Sequence, residues 1–139
     1  MSLSQRLDTF SSRFPRLYWL GPAAGWAAAI FWLSSQGGDD LPKVSIPHLD
    51  KAAHFVLYGG LGWFCARAAG REGPLSIRAA ILAWAAASLY GLSDEAHQLF
   101  TASRSFEWAD WLFDMLGAAA GTAGWALWRR AGGRLLWRA

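Results

Sequence analysis

The chain has 139 residues, enough for one domain spanning 1–139, and it is 54% hydrophobic with 10 Trp. Its formal net charge is +3, yet mean hydropathy is only +0.17, because the charges gather in the gaps between apolar blocks. That segregation assigns the basic residues to membrane topology and argues against a nucleic-acid binder, and the single cysteine, Cys65, rules out an intramolecular disulfide.

Ahead of the first apolar block, Leu3, Leu7, Phe10 and Phe14 fall at i, i+4, i+7 and i+11. Gln5, Arg6, Asp8 and Arg13 occupy the other faces. This pattern predicts a short helix lying on the inner membrane surface and ended by Pro15. Four apolar blocks follow, at 17–33, 52–69, 75–92 and 111–128. Each has 17 or 18 residues, near the short limit for a membrane helix. Flanking residues extend the expected spans to 17–33, 50–69, 75–93 and 110–128. In lipid every backbone group must be paired within its segment, so helices are expected. The lack of alternation argues against a barrel. Ala27-Ala28-Ala29 lies inside the first apolar run, with Ile30-Phe31-Trp32 after it, a poor context for signal cleavage. The loop 34–49 carries turn chemistry in Gly37-Gly38, Leu41-Pro42 and Ile46-Pro47.

Lys and Arg set the orientation. Arg6, Arg13, Arg16, Arg67, Arg71, Arg78, Arg129, Arg130, Arg134 and Arg138 fall on one side, ten of the thirteen basic residues. Lys43, Lys51 and Arg104 fall on the other. The expected fold is an all-α membrane protein of the cytoplasmic (inner) membrane. Four transmembrane helices form an antiparallel bundle, both termini are cytoplasmic, and a short interfacial helix leads. Trp19, Trp128 and Trp137 are expected at the inner interface, and Trp32, Trp108 and Trp111 at the outer one.

Polar residues mark the outer ends of three spans. Asp50, His54 and Tyr58 are four apart and share a helix face, with Lys51 beside them. Tyr90, Asp94 and Gln98 share another, with Glu95 beside it. Asp110 and Asp114 open the fourth span, and Gly117 and Gly121 continue their stripe. Antiparallel packing brings these ends to one membrane depth, with His54 and Asp114 one turn deeper, roughly 6 Å. A carboxylate below the interface must face the bundle interior and find a partner. Lys51, Arg104, His54 and the two tyrosine hydroxyls are available. Such a cluster tunes groups for acid–base work. Charged residues at helix ends also serve simply to mark the interface, and Asp50 and Asp110 suit the helix dipole.

A divalent metal is a further option, since Asp50, His54, Asp94, Glu95, His97, Asp110 and Asp114 offer ligands. No familiar ligand motif appears, and Lys51 and Arg104 can neutralise the acids without one. His97 faces away from the Asp94/Gln98 stripe, and His48 reads as solvated. Gly117 and Gly121 form a small-xxx-small pattern, read as packing within the bundle ahead of homo-oligomerisation.

Asp50-Lys51-x-x-His54-x-x-x-Tyr58 resembles the opening signature of the VanZ-like family. Tyr90-Gly91-x-x-Asp94-Glu95-x-x-Gln98, then Arg104-Ser105, then Asp110-x-x-x-Asp114-x-x-Gly117-x-x-x-Gly121 resembles its second half. Ser34-Ser35 fits as well. The position of Asp114 is often Asn in that family, which leaves one more buried acid here. The resemblance implies a small multi-helix membrane protein. The founding member is linked to low-level teicoplanin resistance, and no established reaction comes with membership.

Two readings follow. In one, the protein is an enzyme acting on a lipid or lipid-linked envelope precursor. His54 or Glu95 is then the general acid or base, oriented by Asp50 and Asp94. Lys51, Arg104, Tyr58, Tyr90, Gln98, Asp110 and Asp114 bind the substrate, with Lys51 and Arg104 placed to grip a phosphate. In the other, the same pocket is a binding or immunity module for a lipid-anchored glycopeptide such as teicoplanin, or for an envelope component. Membrane lipids are the expected partners in both.

Overall fold

A computed structural model describes residues 3–37, 48–71 and 73–133. Gly38, Lys43, Glu72, Arg134, Trp137, Arg138 and the Leu41-Pro42 and Ile46-Pro47 turns lie outside the described residues. So do the side chains of Leu3, Leu7 and Asp8. The described residues form five helices and no strand: α1 (Leu3–Arg13), α2 (Pro15–Ser34), α3 (Leu49–Ala69), α4 (Ile77–Gln98) and α5 (Trp108–Arg130).

Their boundaries follow local chemistry. Only Phe14 separates α1 from α2, and Pro15 occupies the first turn of α2, where its missing N–H has no helical role to fill. Pro15 therefore opens the second helix as well as closing the first. Ser76 caps α4, its hydroxyl accepting from the Ala79 amide at 3.2 Å. The helix thus starts two residues after the apolar block does. At its other end α4 continues through Ser93, Asp94 and Glu95 to Gln98, past the expected span end at 93. Asp94, Glu95 and Gln98 are all buried there, so tertiary partners hold the polar turn in the helix.

The closest helix pair is α3 and α5, and small residues permit it. A Cβ on Gly121 would collide with the carbonyl of Gly59, and one on Gly117 with the carbonyl of Phe55. Thr122 Oγ1 donates to the Gly62 carbonyl at 3.3 Å across the same seam. The glycine stripe is thus used inside the chain, as expected. Indole and phenol tips tie the other helices together. Trp26 Nε1 donates to the Leu57 carbonyl at 2.7 Å, Tyr90 OH to the Ala27 carbonyl at 2.7 Å, and Trp111 Nε1 to the Ser88 carbonyl at 3.0 Å. Trp111 is therefore a half-buried tie between α4 and α5, while Trp32 and Trp108 are exposed. Ile30, Tyr58, Leu61, Ala87 and Ala118 form the core nearer the polar end, and Ala66, Leu75, Ala83 and Trp125 the core at the opposite end.

At that opposite end Arg67 is buried, and its Nη1 donates to the carbonyls of Tyr18 at 3.0 Å and Trp19 at 3.3 Å. Its guanidinium lies 4.8 Å from the centre of each of those two rings. Pro22 sits inside α2 and has no N–H, so the Tyr18 carbonyl four residues back has no helical donor. Arg67 supplies one. Arg67→Met is expected to destabilise the protein by about 2 kcal/mol, the scale of a charge-assisted hydrogen bond. With Pro22→Ala in place the Tyr18 carbonyl regains a backbone donor, and the same substitution should cost measurably less. A thermal-unfolding double-mutant cycle reads the difference, and additive effects would sever the link.

Among the described residues, no helix is long and apolar enough to cross a membrane. The cause is composition. α2 is diluted by Pro, Gly, Trp and Tyr, and α3, α4 and α5 each carry ionisable residues near both ends.

Candidate functional site

The C-terminal ends of α2 and α4 and the N-terminal ends of α3 and α5 meet at one end of the bundle. Residues 99–107 close the turn from α4 to α5, with Ser103 in the left-handed region at φ 57°. A cavity of about 350 Å³ opens among them. Ile30, Leu33 and Leu57 give it an apolar wall. Ser34, Asp50, His54, Tyr58, Asp94, Gln98, Arg104, Glu107 and Asp110 give it a polar one.

Two layers of ionisable groups flank it. In the outer layer Lys51 Nζ contacts Asp50 Oδ2 at 2.8 Å, Asp110 Oδ1 at 2.9 Å and Glu107 Oε2 at 3.3 Å. Three carboxylates thus saturate the three N–H donors of one ammonium. Asp50 and Glu107 are half exposed, whereas Asp110 is buried. One turn deeper, His54 Nδ1 donates to Asp114 Oδ1 at 2.9 Å. Glu95 Oε1 stands 3.9 Å from the same nitrogen, and Asp110 Oδ2 stands 3.8 Å from Nε2. The separation into layers agrees with the helical spacing, which set His54 and Asp114 one turn deeper.

Asp114 reaches His54 past Gly91, where a Cβ would lie 2.8 Å from Asp114 Oδ2. Glu95 is fully buried and held twice. Its Oε2 accepts from the Glu107 amide at 2.9 Å, and its Oε1 accepts from Gln98 Nε2 at 3.5 Å. Glu95 therefore fastens the start of α5 to the end of α4. The ring of His54 runs parallel to that of Tyr58 at 6.3 Å. This leaves Nε2 as the imidazole atom that Asp114 does not hold.

These polar ends, joined in the order of the VanZ-like signatures, accord with the comparison by family. The family model described as VanZ/LLP1 matches residues 4–129, nearly the whole chain. The chain belongs to the VanZ/LLP1 family. Membership supports a cell-envelope, VanZ-like protein. No curated protein and no solved structure matches it.

Not every residue of the VanZ-like signatures faces the cavity. Lys51 turns to its three carboxylates, and Asp114 and Glu95 stand behind His54. Tyr90 turns its hydroxyl to α2. His97 stacks on Phe31 at 4.8 Å and meets Ser35 Oγ at 3.1 Å, so it joins α4 to α2. His48, at the N-cap of α3, is exposed. Two contributors escape the helical-stripe argument. Glu107 precedes α5 as its N-cap residue, and Ser34 closes α2, the helix without ionisable groups at that end.

Among the described residues, two clusters have metal-binding spacing. His54, Glu95 and Asp114 form one, and Asp50, Glu107 and Asp110 the other. The second surrounds the Lys51 ammonium, which stands where a cation would. The first is spanned by the His54–Asp114 hydrogen bond.

Proposed function

We propose that this VanZ-like protein is a multi-pass protein of the cytoplasmic membrane. Its non-cytoplasmic pocket receives the head of a lipid or lipid-linked envelope precursor, and His54 is the general acid–base group of that pocket. The membrane placement draws on family membership and on an inverted distribution of polarity. Leu17, Leu20, Phe31, Val56, Leu82, Leu89 and Leu127 are exposed, while Asp94, Glu95, Asp110, Asp114 and Gln98 are buried. That arrangement suits lipid outside and a polar interior. Most of the basic residues gather away from the pocket, which supports a non-cytoplasmic pocket.

One observation carries the chemical reading: His54 is held at Nδ1 by Asp114 and lines a cavity with its ring. A carboxylate on one imidazole nitrogen fixes the tautomer and leaves the other nitrogen to take or give a proton. Asp114 is the positioning residue. Glu95 holds the loop that shapes the cavity mouth. Lys51 is already surrounded by carboxylates, which leaves Arg104 as the cation for an anionic group of the substrate. The apolar wall of Ile30, Leu33 and Leu57 suits the part of an amphiphile nearest its head.

The test compares wild type with His54→Ala and Glu95→Gln on a pooled lipid extract, reading consumed and formed species by mass spectrometry. His54→Ala is expected to abolish turnover while circular dichroism stays unchanged. Glu95→Gln should retain turnover at a reduced rate. A co-purifying lipid or lipoglycopeptide with no turnover in wild type would replace catalysis by binding.

A further inference from the structure

We infer that the deep end of the cavity is a seat for a primary ammonium group, with Arg104 taking an anionic group of the same head. The inference rests on the pocket reading above and names its ligand class: a zwitterionic, aminoethyl-phosphate type of lipid head.

The observation is a set of buried oxygens gathered around one carboxylate. Ser34 Oγ, Tyr58 OH and Asp94 Oδ1 are all buried; both hydroxyls turn to the Asp94 carboxylate, yet none of the three makes a hydrogen bond of good geometry. Their residues are 6%, 1% and 5% exposed and all three line the cavity. Hydroxyls whose protons face Asp94 offer the cavity only lone pairs, and buried polar atoms are nearly always fully satisfied, so the cluster points to a donor-rich bound partner. All three oxygens can accept, and Asp94 adds charge. A primary ammonium presents three N–H donors and no acceptor. The chain already contains this arrangement once: the Lys51 ammonium sits among one oxygen each from Asp50, Glu107 and Asp110.

Charge excludes a simple anion. Asp50, Asp94, Glu107 and Asp110 line the cavity, and Lys51 is occupied. Arg104 also lines it, and its Nε is buried without a partner. One unsatisfied guanidinium donor in the same cavity as a carboxylate and two hydroxyls matches a head with a phosphate and an amine. A quaternary ammonium has no N–H to give these oxygens and should be rejected.

The experiment uses the full chain in neutral detergent with dihexanoyl phosphatidylethanolamine, phosphatidylcholine and phosphatidylglycerol, which differ only in the head. Binding is read by native mass spectrometry and by the shift in Tm. The ethanolamine lipid should bind saturably and raise Tm, with the other two at least tenfold weaker. Asp94→Asn should lose most of that preference, and Ser34→Ala should weaken binding about tenfold, the scale of one hydrogen bond to a charged group. Arg104→Gln should weaken the ethanolamine and glycerol lipids alike. Equal binding of the choline lipid, stronger binding of the glycerol lipid, or an unchanged preference in both folded Asp94→Asn and Ser34→Ala would overturn the inference. His54→Ala should keep the preference. Loss of turnover with the preference intact would leave this inference standing on its own.

Discussion

Gly121→Ala is expected to destabilise the bundle by about 3 kcal/mol, the upper part of the usual overpacking range. The new methyl would run into the carbonyl of Gly59, and the Trp63 amide nitrogen stands 2.9 Å from its position. Both are backbone atoms on α3, so no side-chain rotation relieves the contact and the helices must separate. Gly25→Ala is the control. A Cβ there meets nothing within 4 Å, and replacing a mid-helix glycine by alanine gains up to about 1 kcal/mol. The two variants are chemically identical and should move Tm in opposite directions. The first should also weaken the site, because the seam through Gly117 and Gly121 sets the distance at which Asp110 and Asp114 meet α3. A Tm for Gly121→Ala at or above wild type would mean that the α3–α5 seam is looser than described.

The apolar blocks made the four long helices legible, since each expected span lies largely within one of α2 to α5. The stripe Tyr90, Asp94 and Gln98 carried the helix past the expected span end at 93, but what holds its polar turn could not be read. Ser93-Asp94-Glu95 lies beyond the apolar segment. It stays helical because Glu95 receives the Glu107 amide from twelve residues later. The shared depth of His54 and Asp114 was legible, because spacing by four carries a side chain down a known face by a known rise; their pairing was not. The division of labour among neighbours was not. Tyr58 and Tyr90 are equivalent by spacing, yet one faces the cavity and the other bonds to the Ala27 carbonyl on α2. Helical phase alone does not say which neighbour a face meets. Ser34 escaped as a site residue for the same reason. It belongs to the apolar helix, and its part in the cavity depends on how α2 leans against α3 and α4.

The polar end also shows why an acidic cluster can persist in an otherwise apolar bundle. Three of the four buried acids are answered from another part of the chain: Asp110 by Lys51, Asp114 by His54, and Glu95 by the Glu107 amide. The helices are thus cross-linked electrostatically at the end where the cavity holds them apart, and by close backbone contact at Gly117 and Gly121 further along. Asp94, the fourth, faces only the neutral hydroxyls of Ser34 and Tyr58, and it lines the cavity.

Lys51→Met should be the most damaging change in the outer layer. It keeps much of the apolar stem and removes the charge that Asp50, Glu107 and Asp110 share. Asp50 and Glu107 are half exposed and can turn to water. Asp110 is buried and cannot. The loss is therefore expected at about 2–3 kcal/mol, below the figure for a fully buried pair broken from one side. Three carboxylate oxygens would remain around the vacated position, a donor set that suits calcium. Millimolar calcium should raise the Tm of Lys51→Met towards wild type, and a chelator should reverse the gain. Wild type should be indifferent to both, because its ammonium already fills the position. Lys51→Arg should recover little, since a planar guanidinium does not reproduce three convergent donors. Unfolding midpoints of the three proteins, with calcium and with chelator, test the point. If calcium stabilises wild type and Lys51→Met equally, Lys51 does not hold the three acids together.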